Sequence, residues 1–294
     1  MMGETALMRK LFAICTVVLA IVIVWYAAAI KMNAKWAYDQ AARAKVELTT
    51  SELIKQTWAQ ERPVLPAPHQ VVAELWDGTV GKKVTSKRSL IFHGWITLRA
   101  TLLGFVIGTL LGIVLSVGII HIRAMDMGVM PWAIASQTIP ILAIAPMIIV
   151  VLNSIGIQGL IPKAIISAYL SFFPVLVGMV SGLRSPDHMQ LDLLKTYNAS
   201  KSDAFFKLRL PSSMPYLFTS MKVGIAASLV GTIVGELPTG AIRGLGARLL
   251  TGSYYGQTIQ MWAALFAAAF LAAGLVALVG MAEKAILKRM GMAR

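Results

Sequence analysis

Six long apolar runs dominate this 294-residue chain, at residues 11–30, 91–120, 131–152, 163–183, 215–237 and 258–282. A run of about 20 apolar residues crosses a bilayer as one α-helix, because in hydrocarbon only helices and closed barrels satisfy their own backbone. The runs therefore predict an all-α integral membrane protein with six transmembrane helices. Composition agrees: 57% of the residues are hydrophobic and 14% charged, with a mean hydropathy of +0.72. Soluble domains carry roughly 25% charged residues, so this chain lacks the polar surface to cover a globule in water. The first run is too long for the apolar part of a signal peptide and no small-residue cleavage site follows it, so it is read as a retained span.

The formal net charge is +14, but the basic residues are dispersed between apolar runs rather than gathered in one patch. That distribution argues against a nucleic-acid partner and fits a lipid bilayer, where Lys and Arg collect near headgroups and in cytoplasmic loops. Six spans put both termini on one side. With the N-terminus inside, Arg9 and Lys10, Arg123, the stretch from Arg184 to Arg209, and Lys284, Lys288, Arg289 and Arg294 are all cytoplasmic. The connection between the first two spans is basic as well, including Lys82, Lys83, Lys87 and Arg88. Long loops weigh little in this bias, and the expectation is cytoplasmic N- and C-termini. Within that connection, residues 32–60 place Trp36, Val46, Leu53, Ile54 and Trp58 at helical spacing, which reads as an amphipathic extension anchored at the interface by tryptophan. Pro63, Pro66 and Pro68 break it, and another short helix is expected from His69.

Several residues inside the runs invite a role. Gly104, Gly108 and Gly112 recur every four residues, so one helix face is smooth enough for close helix packing. Packing within the subunit and a moving or dimeric contact are both open readings. Pro140, Pro146, Pro162 and Pro174 suggest kinked helices around a cavity. Polar groups at membrane depth need a partner or water, which makes Gln137, Asn153, Glu236 and Gln260 candidates for lining a translocation pathway. Glu236 reads equally well as an interfacial carboxylate paired with Arg243 or Arg248. Arg99, Lys163 and Lys222 lie near span ends and can snorkel. His69, His93, His121 and His188 fall in loops or at span ends, as interfacial residues do, and no nucleophile–base pair is evident. The lone Cys15 excludes an intrachain disulfide, and no metal-ligand cluster is apparent. Gly78-Thr79-Val80-Gly81-Lys82-Lys83 lacks the spacing and the hydroxyl of a phosphate-binding loop, so an enzyme is not expected here.

The polar segment at residues 184–214 is the most organised part of the chain outside the runs. Ser185 and Pro186 suit a helix N-cap and first position, Asn198 tolerates a left-handed helix end, Ser200 with Asp203 reads as a second N-cap, and Pro211 is expected to stop that second helix. The first helix presents Met189, Asp192, Leu193 and Tyr197 along one side, and the second offers Ala204, Phe205 and Leu208. A helix simply resting on the bilayer is the competing reading of this segment.

The same residues resemble the "EAA" loop of the membrane subunits of binding-protein-dependent ATP-binding cassette (ABC) importers. That pattern runs E-A-A, three residues, G, nine residues, I, one residue, L-P. Asp192 stands at its Glu, Leu193 and Leu194 at the Ala pair, Asn198 at the Gly, Leu208 at the Ile, and Leu210-Pro211 match outright. Leu65-Pro66-Ala67-Pro68, Gln137-Thr138-Ile139-Pro140, Phe172-Phe173-Pro174, and Glu236 followed by Gly244-Leu245-Gly246 are similar to the nitrate/sulfonate/taurine branch of these permeases. The resemblance covers about residues 63–285. It implies a permease core over 63–294, with the N-terminal span and its amphipathic extension over 1–62 outside it except for the span, and it favours the cytoplasmic orientation of both termini in a bacterial inner membrane. It implies that Asp192, Leu193, Leu194, Tyr197, Asn198, Ala199, Ser200, Phe205, Leu208, Leu210 and Pro211 form a cytoplasmic helix-turn-helix that couples to an ATPase. The partners it implies are two cytoplasmic ATPase subunits holding ATP and magnesium, a second permease copy or homologue, and an extracytoplasmic solute-binding protein delivering a small polar or anionic nutrient. An ion-coupled carrier without an ATPase is the alternative; it should show inverted repeats and ionisable residues near span centres.

Overall fold

The computed structural model describes residues 2–238 and 243–292, and among them all regular structure is helical. The chain divides into two compact units, one comprising Met1–Ile91 with Arg248–Ala267 and the other Phe92–Ala247 with Ala268–Arg294.

The first unit begins with α1 (Met2–Ala44). The part from Leu11 onward is 34 residues long, about 51 Å at 1.5 Å per residue, against a hydrocarbon core of about 30 Å. The end of α1 therefore projects beyond the lipid. Ala29, Asn33, Ala37 and Ala41 form a buried stripe every fourth residue, onto which α2 (Thr50–Trp58) folds back after a turn at Lys45, whose φ is +55°. Asn33 fastens the return strand of chain: its Oδ1 accepts from the Val64 and Leu65 amides at 2.8 and 3.3 Å, and its Nδ2 donates to the Leu65 carbonyl at 2.8 Å. The extension expected to lie along the interface is thus a helical hairpin continuing α1, because alanine-rich sequence offers no stop signal before Lys45. α3 (Pro68–Trp76) follows and runs into a π-helical turn, Asp77–Gly81.

The second unit holds α4 (Leu90–His121), α5 (Arg123–Ser136), α6 (Ile141–Ser154), α7 (Leu160–Leu183), α8 (His188–Thr196), α9 (Lys201–Ala204) and α10 (Leu210–Glu236), with the later part of α12 (Thr258–Arg289). α11 (Leu245–Tyr254) links α10 to α12. α7 is the central helix, with Ile166, Val175, Leu176, Met179 and Leu183 fully enclosed. Gly104, Gly108 and Gly112 all face it: a Cβ on Gly104 would lie 2.4 Å from Ser167 Cβ, one on Gly108 2.2 Å from Ser171 Oγ, and one on Gly112 3.0 Å from Val175 Cβ. Partner numbers rise together along the two helices, so α4 and α7 run parallel. Gly178 meets Ser220 and Gly231 meets Ser167, so α10 is antiparallel to α7. Hydroxyls fill the seams: Ser167 Oγ donates to the Ser228 carbonyl at 2.8 Å, and Thr101 Oγ1 to Thr232 Oγ1 at 3.0 Å.

The run at 131–152 is not one kinked span. α5 and α6 meet at 99°, because Pro140 takes extended backbone (ψ 121°) and becomes the N-cap of α6. Five long helices are thus apolar enough to cross a membrane, and six spans result when the bent pair counts as one, the reading that parallel α4 and α7 favour. Pro146 and Pro174 lie inside uninterrupted α6 and α7.

Candidate functional site

The loop from α7 to α10 is built by local capping. α8 starts two residues later than Ser185 and Pro186 suggest: Asp187 is the N-cap, and its amide donates to Gln190 Oε1 at 3.3 Å. At the other end Asn198 adopts φ +53°. The Ala199 amide reaches the Leu194 carbonyl at 3.0 Å and the Asn198 amide reaches Lys195 at 2.9 Å, the two bonds of a Schellman ending. Ser200 then caps α9, accepting from the Asp203 amide at 3.0 Å while donating to Asp203 Oδ2 at 2.5 Å. Lys207 pairs with the same carboxylate at 2.5 Å.

Pro211 does not stop the second helix. A π-helical turn, Phe205–Arg209, connects α9 to α10, and Pro211 sits in the first turn of α10, where a missing N–H is tolerated. The turn divides this stretch into two sides. Phe205 points inward, packing with Leu210 and Leu217 against buried Val175, Met179 and Leu183, with its ring edge-on to His121 at 5.1 Å. Arg209 Nη1 donates to the Leu183 carbonyl at 2.8 Å, capping the end of α7. Leu194, Ala199 and Leu208 are half-buried. Met189, Leu193, Tyr197 and Phe206 are each more than half exposed. Asp192 is exposed too, and a hydrogen bond and the charge from Lys195, 2.8 Å away, hold its carboxyl below the usual range. The arrangement is an exposed, largely apolar face whose base is fixed to α7 and α10.

The four polar residues proposed for a pathway have separate settings. Gln137 lies in the break after α5, with Nε2 3.4 Å from Ser136 Oγ, and Asn153 is exposed in the last turn of α6. Gln260 accepts from Arg248 Nη2 at 3.1 Å. Glu236 is fully buried and accepts from Thr97 Oγ1 at 3.1 Å and from the Gly246 amide at 2.8 Å, with Lys163 Nζ at 3.6 Å. Its cationic partner is thus Lys163. Lys163 is itself buried rather than snorkelling, and it also donates to the Arg243 carbonyl at 3.4 Å. His93 is buried as well, and its Nδ1 accepts from the Gly244 amide at 2.9 Å. Thr97, His93 and Lys163 carry no sequence signal for this role, since the partners lie 70 or more residues away along the chain. Among the described residues no three His, Cys, Asp or Glu side chains gather as a metal site.

Five long apolar helices, a bent pair of the same character and a capped loop rooted in them describe an integral membrane protein. Residues 104–292 match the family of binding-protein-dependent transport system inner membrane components, and the chain belongs to that family. It is similar to the formylaminopyrimidine transport permease of Halalkalibacterium halodurans, 30% identical over 62% of this chain and 68% of that one. It is similar to the riboflavin transport system permease of Chloroflexus aurantiacus, at 28% over 76% and 80%. The nitrate import permease of Leptolyngbya laminosa is 24% identical over 60% and 62%, and stands in the branch its landmarks resemble. The chain is a permease subunit of an ABC importer, not an enzyme. Membership implies ATPase and solute-binding partners.

Proposed function

We propose that residues 192–211 receive the movement of two cytoplasmic ATPase subunits and pass it into the membrane through α7 and α10. The observation carrying this reading is the division of the loop into two sides. Met189, Leu193, Tyr197 and Phe206 face outward, while Phe205 and Arg209 fix the base to α7. An amphipathic helix seated in a partner groove transmits rigid-body motion only when its root is stiff. In the full assembly the chain pairs with a second permease copy or homologue, keeps both termini in the cytoplasm of a bacterial inner membrane, and receives solute from an extracytoplasmic binding protein. The relatives named for formylaminopyrimidine, riboflavin and nitrate support a small polar or anionic nutrient as cargo.

Leu193→Arg and Tyr197→Ala test the docking face without touching the core. Both variants should fold and insert normally yet lose co-purification with the ATPase and most solute-stimulated ATP hydrolysis. Unchanged binding and unchanged hydrolysis in both would sink the assignment. Phe205 is unsuitable for this purpose, because an Arg there would disturb the packing against Met179 and Leu183.

A further inference from the structure

The segment between the start of α3 and α4 plays no part in the coupling described above, yet it has a marked two-sided character. Its outer side carries Val72, Trp76 and Val80, every fourth residue along α3 and the π-helical turn, each 62–67% exposed, and exposed Val84 follows beyond the extended Lys82. Its inner side holds buried Val71 and Gly78, and a Cβ on Gly78 would lie 2.8 Å from Leu90 Cδ1. Exposed Lys83, Lys87 and Arg88 follow the apolar stripe.

Two contacts fix the depth of this segment. Where α3 begins, the Pro66 carbonyl accepts from Trp25 Nε1 at 3.0 Å and the His69 ring stacks on Tyr26, close to the polar end of the apolar run in α1. Where the segment ends, Gly78 sits against Leu90, the first residue of α4 and the start of its apolar run. A segment that follows the polar end of one apolar run and leads directly into the next lies at headgroup level. A tryptophan-bearing apolar stripe flanked by bases is the pattern of an interfacial element on an anionic surface.

We propose that residues 68–88 form a lipid-binding element for anionic phospholipids. Val72, Trp76 and Val80 enter the acyl boundary, and Lys83, Lys87 and Arg88 contact headgroup phosphates. The basic charge that opposes the expected orientation then serves headgroup binding rather than topology. The proposal rests on α1 and α4 being spans and is independent of the ATPase docking face.

The test uses the full-length protein with Cys15→Ser and a spin label on Val80→Cys, in phosphatidylcholine vesicles with or without phosphatidylglycerol. The label should be reached by oxygen and shielded from a water-soluble nickel reagent, unlike one on Ser51→Cys, which is exposed on α2. The triple variant Lys83→Gln, Lys87→Gln, Arg88→Gln should retain phosphatidylglycerol on purification about tenfold less well, with phosphatidylcholine retention and ATPase co-purification unchanged. Equal phosphatidylglycerol retention in the triple variant would overturn the proposal. So would a Val80 label open to nickel in lipid and shielded only when the solute-binding protein is added, which would make the surface a protein dock.

Discussion

Gly244 is held at φ +127°, and a Cβ there would lie 2.2 Å from the Glu236 carboxylate. The left-handed backbone and the close approach both demand glycine. What they protect is a buried charge. Glu236 is enclosed and Lys163 nearly so, and removing one member of such a pair typically costs about 3–5 kcal/mol because the other charge is left stranded. Lys163→Met should therefore lower stability in detergent more than the double variant Lys163→Met, Glu236→Gln, measured by thermal unfolding. A double variant at least as unstable as the single would show that the ion pair is not the reason. Close approach also decides Gly108, where a Cβ would meet Ser171 Oγ at 2.2 Å and the Ala168 carbonyl at 2.8 Å. Gly108→Val should destabilise by about 1–3 kcal/mol through overpacking. Gly274, with nothing within 4 Å, should accept Ala with little change in the same assay. The glycine spacing was visible in sequence, but the identity of the facing helix was not, since nothing local distinguishes α7 from a second subunit.

At the scale of elements, the loop is the part most legible from sequence, because its signals are local. Asn198 takes the left-handed turn and Ser200 the N-cap that their side chains favour. The misreadings share one cause, tertiary context overriding a local signal. Pro211 reads as a stop, but a π-helical turn just before it rotates the chain so that α10 can begin around the proline. The same turn sends Phe205 inward and Phe206 outward, which periodicity over so short a helix does not resolve. Arg209 is where this geometry has a mechanical consequence. Its hydrogen bond to Leu183 is the polar link from the loop to the end of α7. On the proposed coupling role, Arg209→Leu should keep the ATPase bound, because Leu193 and Tyr197 are untouched, while solute-stimulated hydrolysis falls about fivefold or more, the low end of common coupling energies. Arg209→Lys should recover part of it. Loss of ATPase co-purification in Arg209→Leu would assign the residue to docking or folding instead of transmission.

At the scale of the whole molecule, the number of crossings decides which side residues 192–211 occupy. Hydropathy alone leaves this open, since α5 and α6 form one apolar stretch in sequence but are two helices at 99°. Helix direction resolves it. Gly104 pairs with Ser167, Gly108 with Ser171 and Gly112 with Val175, so α4 and α7 cross in the same sense. Two consecutive parallel spans need one return between them, and α5–α6 is the available return. A re-entrant pair would instead put Ser154 and the start of α7 on the side where α4 ends, and would turn α7 around. Single cysteines in a Cys15→Ser background separate the two arrangements, because Ser51, Ser154 and Ser200 are all exposed. With a membrane-impermeant maleimide, Ser51→Cys and Ser154→Cys should label from one side, outside the cell, and Ser200→Cys only after the cytoplasmic face is opened. Ser154 labelling from the side opposite to Ser51 would make the pair re-entrant. That result would place residues 192–211 away from any cytoplasmic ATPase, so this one measurement bears on the span count and the coupling mechanism together.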